Sequence, residues 1–395
     1  MGSMDSRLYW QLPGPTGFVE RICKQAIKAR MLVLNLTRQS IPGLREHIEI
    51  GLKNSHISRI IYLTIYPGSD ISSEIGPHFD TKVMAAHELA SQNNEPPVAV
   101  VLHPINGHAN KKCESYTTEF FNSLKNYDGN TRIVNIWQDE AFRQDTYGKH
   151  ADVLVFDGGL TEDEMQAYVS MRMINRQGPG STRLLRSLVV EFAGYDPLFA
   201  ERLIELSTAE ILTLPQQLPV LFGEDQERWR RGTWLSGAVS NASNIQHALH
   251  DYYLSQDGVG SEAQEASRRI EQRYWRACLK EIIPWLEERR QAIIQPFLSQ
   301  LKQIAGSEGK IIIPIGNKGT REIDPVEIEY NNLVWFWYKQ QLRSTDSVQL
   351  HAINICKVAK SVRDDIAHLR PPDPQNLTDL IHEMDSYIHS NTDLL

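Results

Sequence analysis

The chain has 395 residues, 41% hydrophobic and 23% charged, which is the composition of a globular protein with room for roughly two or three domains. Its 41 Lys+Arg against 49 Asp+Glu leave a net charge of −8, which excludes a general basic nucleic-acid binder and confines any RNA or DNA site to a local patch. No apolar run approaches the ~18 residues of a membrane span and no signal pattern opens the chain, so no membrane association is expected. Cys23, Cys113, Cys278 and Cys356 form no CxxC or Cys/His cluster. That argues against structural zinc and a disulfide framework, and fits a reducing cytoplasm.

Near the start, Leu12-Pro13-Gly14-Pro15-Thr16-Gly17-Phe18 precedes a predicted helix through Ile22 and Ile27, and the Gly14–Gly17 amides are placed to cradle an anion. Five β-branched or aliphatic runs follow: Met31–Leu36, Ile60–Ile65, Val98–Leu102, Arg132–Ile136 and Val153–Phe156. Continuous apolar runs separated by helix-length stretches predict buried parallel strands, hence a five-stranded parallel α/β domain over 8–183.

This order of elements resembles P-loop NTPases of the AAA+ type. A working phosphate loop needs GxxxxGK[ST], yet no Lys-Ser or Lys-Thr follows a glycine loop, and Lys24 lies two turns into its helix. Val98–Leu102 ends in His103-Pro104 where acids would hold magnesium; Asp157 follows a different strand. The resemblance implies a degenerate NTPase-like domain that senses or scaffolds and does not hydrolyse ATP. No cofactor is expected.

Residues 184–254 read as a helical lid or winged-helix-like module, broken at Gly194-Tyr195-Asp196-Pro197, Leu214-Pro215 and Leu218-Pro219. Ser255-Gln256-Asp257-Gly258-Val259-Gly260-Ser261 is the best linker in the chain. His78, His87 and Glu88, like His247 and His250, lack the third ligand and spacing of a zinc site, and no metal is expected. Trp229, Trp234 and Trp275 read as packing anchors between modules.

From 262 to 395 a helical bundle is expected. Ala263 to Ile304 is one helical stretch interrupted at Pro284, which should kink or divide it. Gln264 to Gln303 carries eight Lys/Arg against five Asp/Glu. Lys310–Ile315 reads as a strand, and Asp324-Pro325 as the N-cap and first residue of a helix that carries the aromatic run Leu333–Tyr338 to about Leu342. The last helix, Leu350 to Leu369, bears Ala352, Ile355, Ala359, Val362, Ile366 and Leu369 as one apolar stripe.

That helix ends in Arg363-Asp364-Asp365-Ile366-Ala367-His368, a fixed cation and an imidazole five positions apart. These are the group types that metal-free RNA cleavage uses, for the phosphate and for proton transfer. Each is rotated by roughly 100° from the buried stripe, on opposite sides, so a straight helix holds them apart. Pro371 should end the helix near Arg370, leaving His368 in a last turn where the dipole favours positive charge. A joint site requires that end to unwind or a second copy to pack against it.

The segment resembles the HEPN superfamily, whose helical bundles carry an R-x4-6-H motif. What the resemblance implies is a homodimer formed through the C-terminal bundle and acting as a metal-independent ribonuclease. In it Arg363 would stabilise the phosphate, Asp364 would orient the groups and His368 would act as acid and base. Fusion to an NTPase-like module is similar to bacterial toxin and antiviral defence proteins. Arg321 to Leu395, however, carries seven Lys/Arg against twelve Asp/Glu. That balance opposes RNA and favours the alternative, a non-catalytic adaptor with a pseudo-NTPase domain docking a protein partner in a defence complex.

Overall fold

The computed structural model describes residues 5–36, 42–57, 59–105, 107–137, 152–176, 182–223, 247–314 and 319–391. They fall into two compact units. The first holds the described residues of Met1–Tyr168 with Tyr195–Glu201; the second holds those of Val169–Gly194, Arg202–Trp229 and His247–Leu395.

The first unit is an α/β layer structure. In chain order it contains α1 (Ser6–Tyr9), α2 (Pro13–Lys28), β1 (Met31–Leu36), α3 (Leu44–Lys53), β2 (Arg59–Ile65), α4 (Ile71–Ile75), α5 (Ala86–Ser91), β3 (Val98–Pro104), α6 (Gly107–Ser123), β4 (Arg132–Trp137) and β5 (Asp152–Phe156). All five expected strands form, and they pair in parallel in the order β2-β3-β4-β1-β5. β1 is buried at every position because it is flanked by strands and covered on both faces, which is why its sequence shows no polar alternation.

Alternate residues build two cores. Met31, Val33, Val100, Leu102 and Ile133 meet Ala109, Cys113, Tyr116 and Phe120 of α6. On the opposite face Phe18 of α2 stacks on Phe156 of β5, with ring centroids 4.1 Å apart. The chain thus holds a five-stranded parallel α/β domain and a helical region.

Next in the chain come α7 (Glu162–Arg172), α8 (Thr182–Ala193), α9 (Pro197–Glu205), α10 (Thr208–Leu212), α11 (Leu214–Gly223) and α12 (Ala248–Asp257). The described residues of 184–254 are helix and turn, with no strand among them. Then follow α13 (Ser261–Ile294), α14 (Leu298–Ala305), the antiparallel pair β6 (Ile311–Pro314) and β7 (Thr320–Ile323), α15 (Tyr330–Tyr338), α16 (Ser347–Ala367) and α17 (Pro374–Ser390).

Several expectations for this region need correction. The glycine-containing linker is a tight turn between α12 and α13, which pack against each other within the second unit. A Cβ on Gly258 would lie 2.2 Å from the Leu254 carbonyl oxygen, so the turn requires glycine. Pro284 does not divide α13, which runs through it for 34 residues. Asp324 does cap Pro325–Glu327, accepting from the Val326 amide, but that segment is a single 3-10 turn; α15 starts separately, N-capped by Glu329. Leu333, Val334 and Phe336 are buried as the aromatic run predicted, while Tyr338 is exposed.

The α16 stripe is buried from Ala352 to Ile366, but Leu369 is not part of it and is 73% exposed. The helix stops at Ala367, and Leu369 takes a left-handed φ of 59°. The Arg370 amide then donates to the Asp365 carbonyl and the Leu369 amide to the Ile366 carbonyl, closing a Schellman turn. α17 was not anticipated.

Candidate functional site

The Gly14–Gly17 segment is the first turn of α2, and its anion is the protein's own. Glu164 is 8% exposed; one carboxylate oxygen accepts from the Gly14 amide at 2.5 Å, the other from the Thr161 amide and hydroxyl at 2.9 and 2.8 Å. A Cβ on Gly14 would sit 2.9 Å from that carboxylate. The helix end predicted to hold an external anion is therefore filled from α7. The Thr161-x-x-Glu164 spacing is a capping box, readable in sequence as a helix start, but nothing local shows that its carboxylate also reaches α2.

The strand order makes the carboxyl ends of β1, β4 and β3 the edge where open α/β sheets take ligands. In a P-loop domain the phosphate sits at the N-terminus of the helix after β1, here α3. The residues between them, Thr37-Arg38-Gln39-Ser40-Ile41-Pro42-Gly43, contain no GK[ST]. Trp10, 4% exposed, covers this corner: its indole N–H donates to the Pro42 carbonyl at 2.8 Å and its ring stacks on His47, with centroids 4.5 Å apart. Gly43, the N-cap of α3 with φ 75°, leaves so little space that a Cβ there would stand 3.1 Å from the indole nitrogen. Trp10 lies 33 positions before Gly43, and no sequence signal links the two.

At the end of α16 the three motif residues do not converge within the chain. Arg363 donates to the Glu329 carboxylate at 2.5 Å, with the two side chains 34% and 41% exposed. Asp364 receives Lys360 at 2.7 Å, one turn back along the same helix. His368 is the exposed C-cap of the helix. The helix end does break, as expected, but it breaks after Ala367 and leaves Arg363 inside the helix. Glu329 was missed: it is an N-cap residue 34 positions upstream, and its pairing depends on α15 packing against α16. An ion pair this exposed contributes at most about 1 kcal/mol. Its larger effect is chemical, because a carboxylate already neutralises the cation offered to a phosphate.

A cavity of about 340 Å³ in the bundle is lined by Ala292, Pro296, Asp346, Val348, Tyr387 and Asn391. It lies at the opposite end of α16, since 15 residues of helix from Val348 to Arg363 span about 22 Å. Among the described residues no group of three His, Cys, Asp or Glu could hold a metal ion, and no helix is long and apolar enough to cross a membrane. Trp275 links α13 to α16 through a 2.8 Å hydrogen bond to the Ile366 carbonyl, within the second unit. Trp229 and Trp234 lie outside the described residues.

Inside the helical region the strongest charge cluster is structural. Asp251, fully buried, accepts from Arg269 at 2.7 Å and from Arg273 at 2.9 Å, and Arg273 also donates to the Glu191 carbonyl. Burial pushes the Cys113 thiol up to about 12, and the Cys278 and Cys356 thiols also well above their ordinary value. None of these three is poised as a nucleophile.

No family model and no curated protein matches the chain. Among solved structures it is similar to the DNA clamp loader delta protein (YqeN) of Bacillus subtilis, at 12% identity and a TM-score of 0.21, over 93% of this chain and 98% of that one. That likeness is too weak to place the chain in a family.

Proposed function

We propose that this chain is a non-catalytic assembly protein: an NTPase-like α/β domain that does not turn over nucleotide, joined to a helical bundle that docks a protein partner. The observation that carries this reading is Trp10 seated over Gly43, which fills the phosphate corner of an NTPase-like sheet with the protein's own indole. Two further contacts support it, Glu164 on the α2 N-terminus and Glu329 on Arg363, since each occupies a charge site that substrate would need. A bacterial defence complex is the setting that the HEPN resemblance implies.

The test is ATP turnover by the purified full-length chain with magnesium. The reading expects phosphate release at the rate of buffer alone. Sustained release that Trp10→Ala or another single substitution alters in rate would overturn it.

One observation favours the ribonuclease reading: Arg363, Asp364 and His368 all lie at one solvent-accessible helix end outside the core. In that reading a second copy brings the two helix ends together and displaces Glu329 from Arg363. It expects RNA cleavage by a homodimer that Arg363→Ala and His368→Ala both abolish without loss of fold. Equal activity in both variants and wild type would end it.

A further inference from the structure

The cavity in the bundle lies where three helix ends meet. Ala292 and Gln295 are in the last turn of α13 and at its C-cap, Ile388 and Asn391 in the last turn of α17 and at its C-cap, and Asp346 is the N-cap of α16. Every lining residue is described and belongs to the second unit. Pro296 is why α13 gives way here. It has no N–H to offer the Ala292 carbonyl four residues back, and the chain passes through the 3-10 turn Gln295–Phe297 before α14 begins. The space left between the helices, about 340 Å³, falls in the range of small-molecule sites, about 300–1,000 Å³.

Its electrostatics favour a cation. The carbonyl ends of α13 and α17 contribute partial negative charge, and Asp346 contributes a full one. One Asp346 oxygen accepts from the Val348 amide at 3.3 Å; the other has no partner among the described residues, and the carboxylate makes no ion pair there. No Lys or Arg lines the cavity. The cations nearest in sequence are engaged elsewhere: Arg289, one turn before Ala292, lies 4.6 Å over the Trp285 ring, and the exposed His389 places Nδ1 3.0 Å from the Asp385 carbonyl. A buried polar group completes the site. Tyr387 is 1% exposed, yet its hydroxyl has no hydrogen-bond partner among the described residues. Buried phenols normally find one. The Tyr387 ring packs on His351, with centroids 5.3 Å apart, while the hydroxyl is not sealed from solvent and opens on the cavity. Burial, with Cys356 and Asp346 adding to it, pushes this phenol up to about 12, so it remains an O–H that can donate and accept.

The remaining walls are apolar, from Ala292, Pro296, Val348 and Ile388. An anionic ligand would meet like charge with no cation to answer it. We propose that this cavity binds a small primary amine with a hydrocarbon body. The ammonium donates to the second oxygen of Asp346 and to the Tyr387 hydroxyl, and the hydrocarbon lies against the four apolar residues. Binding needs no turnover and does not depend on the docking reading.

Isothermal titration of the full-length chain with 2-phenylethylamine, 2-phenylethanol and 3-phenylpropionate tests this, read alongside the melting temperature. The amine should bind with Kd ~1 mM or tighter, the alcohol at least about tenfold more weakly and the carboxylate not at all. Asp346→Asn keeps a good N-cap residue and removes the charge, so the variant should fold and bind the amine at least about tenfold more weakly. Tyr387→Phe should weaken it by about threefold or more. Ala292→Leu, which fills the cavity, should abolish binding in a chain that still melts cooperatively. Neither heat nor a rise in melting temperature with the amine overturns the proposal. So does equal binding of amine and alcohol, or amine binding that either Asp346→Asn or Ala292→Leu leaves unchanged.

Discussion

Replacing Glu164 by Gln keeps the shape and removes the charge from a carboxylate that serves two helix ends. Both oxygens accept from backbone amides, one from Gly14 and one from Thr161. Whichever way the new amide turns, its NH₂ faces one of these donors. An orphaned buried donor costs about 1–3 kcal/mol, and loss of full charge at the N-termini of α2 and α7 removes about 0.3–1 kcal/mol each. Together these give a loss of roughly 2–4 kcal/mol, which at about 2–4 °C per kcal/mol for a domain of this size lowers the melting temperature by roughly 5–15 °C. Urea unfolding of the full chain measures it as a fall in midpoint at constant slope. Gly14→Ala, whose Cβ would meet the carboxylate at 2.9 Å, should couple to Glu164→Gln by more than about 0.5 kcal/mol in a double-mutant cycle. A Glu164→Gln variant within about 0.5 kcal/mol of wild type would refute the reasoning.

Other substitutions separate the remaining contacts. Asp251→Ala strands the nearly inaccessible Arg273 without its carboxylate and should cost about 3–5 kcal/mol in the same denaturation assay. At Leu369 the positive φ should make Leu369→Gly at least as stable as wild type, while Leu369→Val, β-branched in the left-handed region, should lose about 1 kcal/mol or more. Burial raises the Asp385 carboxyl above its usual range, against the pull of Arg289, His389 and His382, and one of its oxygens is buried without a partner. Between the ordinary and the raised value the folded state holds more protons than the unfolded, so stability falls as pH rises through that window. Asp385→Asn should therefore stabilise at neutral pH, with the gain vanishing below about pH 3. Native thiol titration should label Cys23 well before Cys113, Cys278 or Cys356, which are buried.

The sheet was legible because a parallel strand covered on both faces must be apolar at consecutive positions, and Met31–Leu36 satisfies this end to end. Local chemistry was also legible where one turn determines it, as in the capping of Pro325–Glu327 by Asp324. The same Asp-Pro signal stands at Asp373-Pro374 and starts α17, but the preceding Pro371-Pro372 reads as the end of helical structure. What the sequence hides is long-range pairing. Glu329 reaches Arg363, Glu164 reaches Gly14 and Trp10 reaches Gly43 only after packing brings distant segments together. Arg363 and His368 therefore look like a free catalytic pair on the page, and in the fold the cation already has a carboxylate. Leu369 fits the helical repeat in sequence; the turn that ends the helix at Ala367, two residues earlier, turns it out to solvent.

With these charge sites occupied internally, the chain should work without turnover. The most direct measurement is cleavage of a labelled single-stranded RNA by the purified full-length protein and its His368→Ala variant, side by side and free of metal. Both should show the same buffer-level background. Cleavage by the wild-type chain that His368→Ala abolishes, with the variant's unfolding midpoint unchanged, would contradict it.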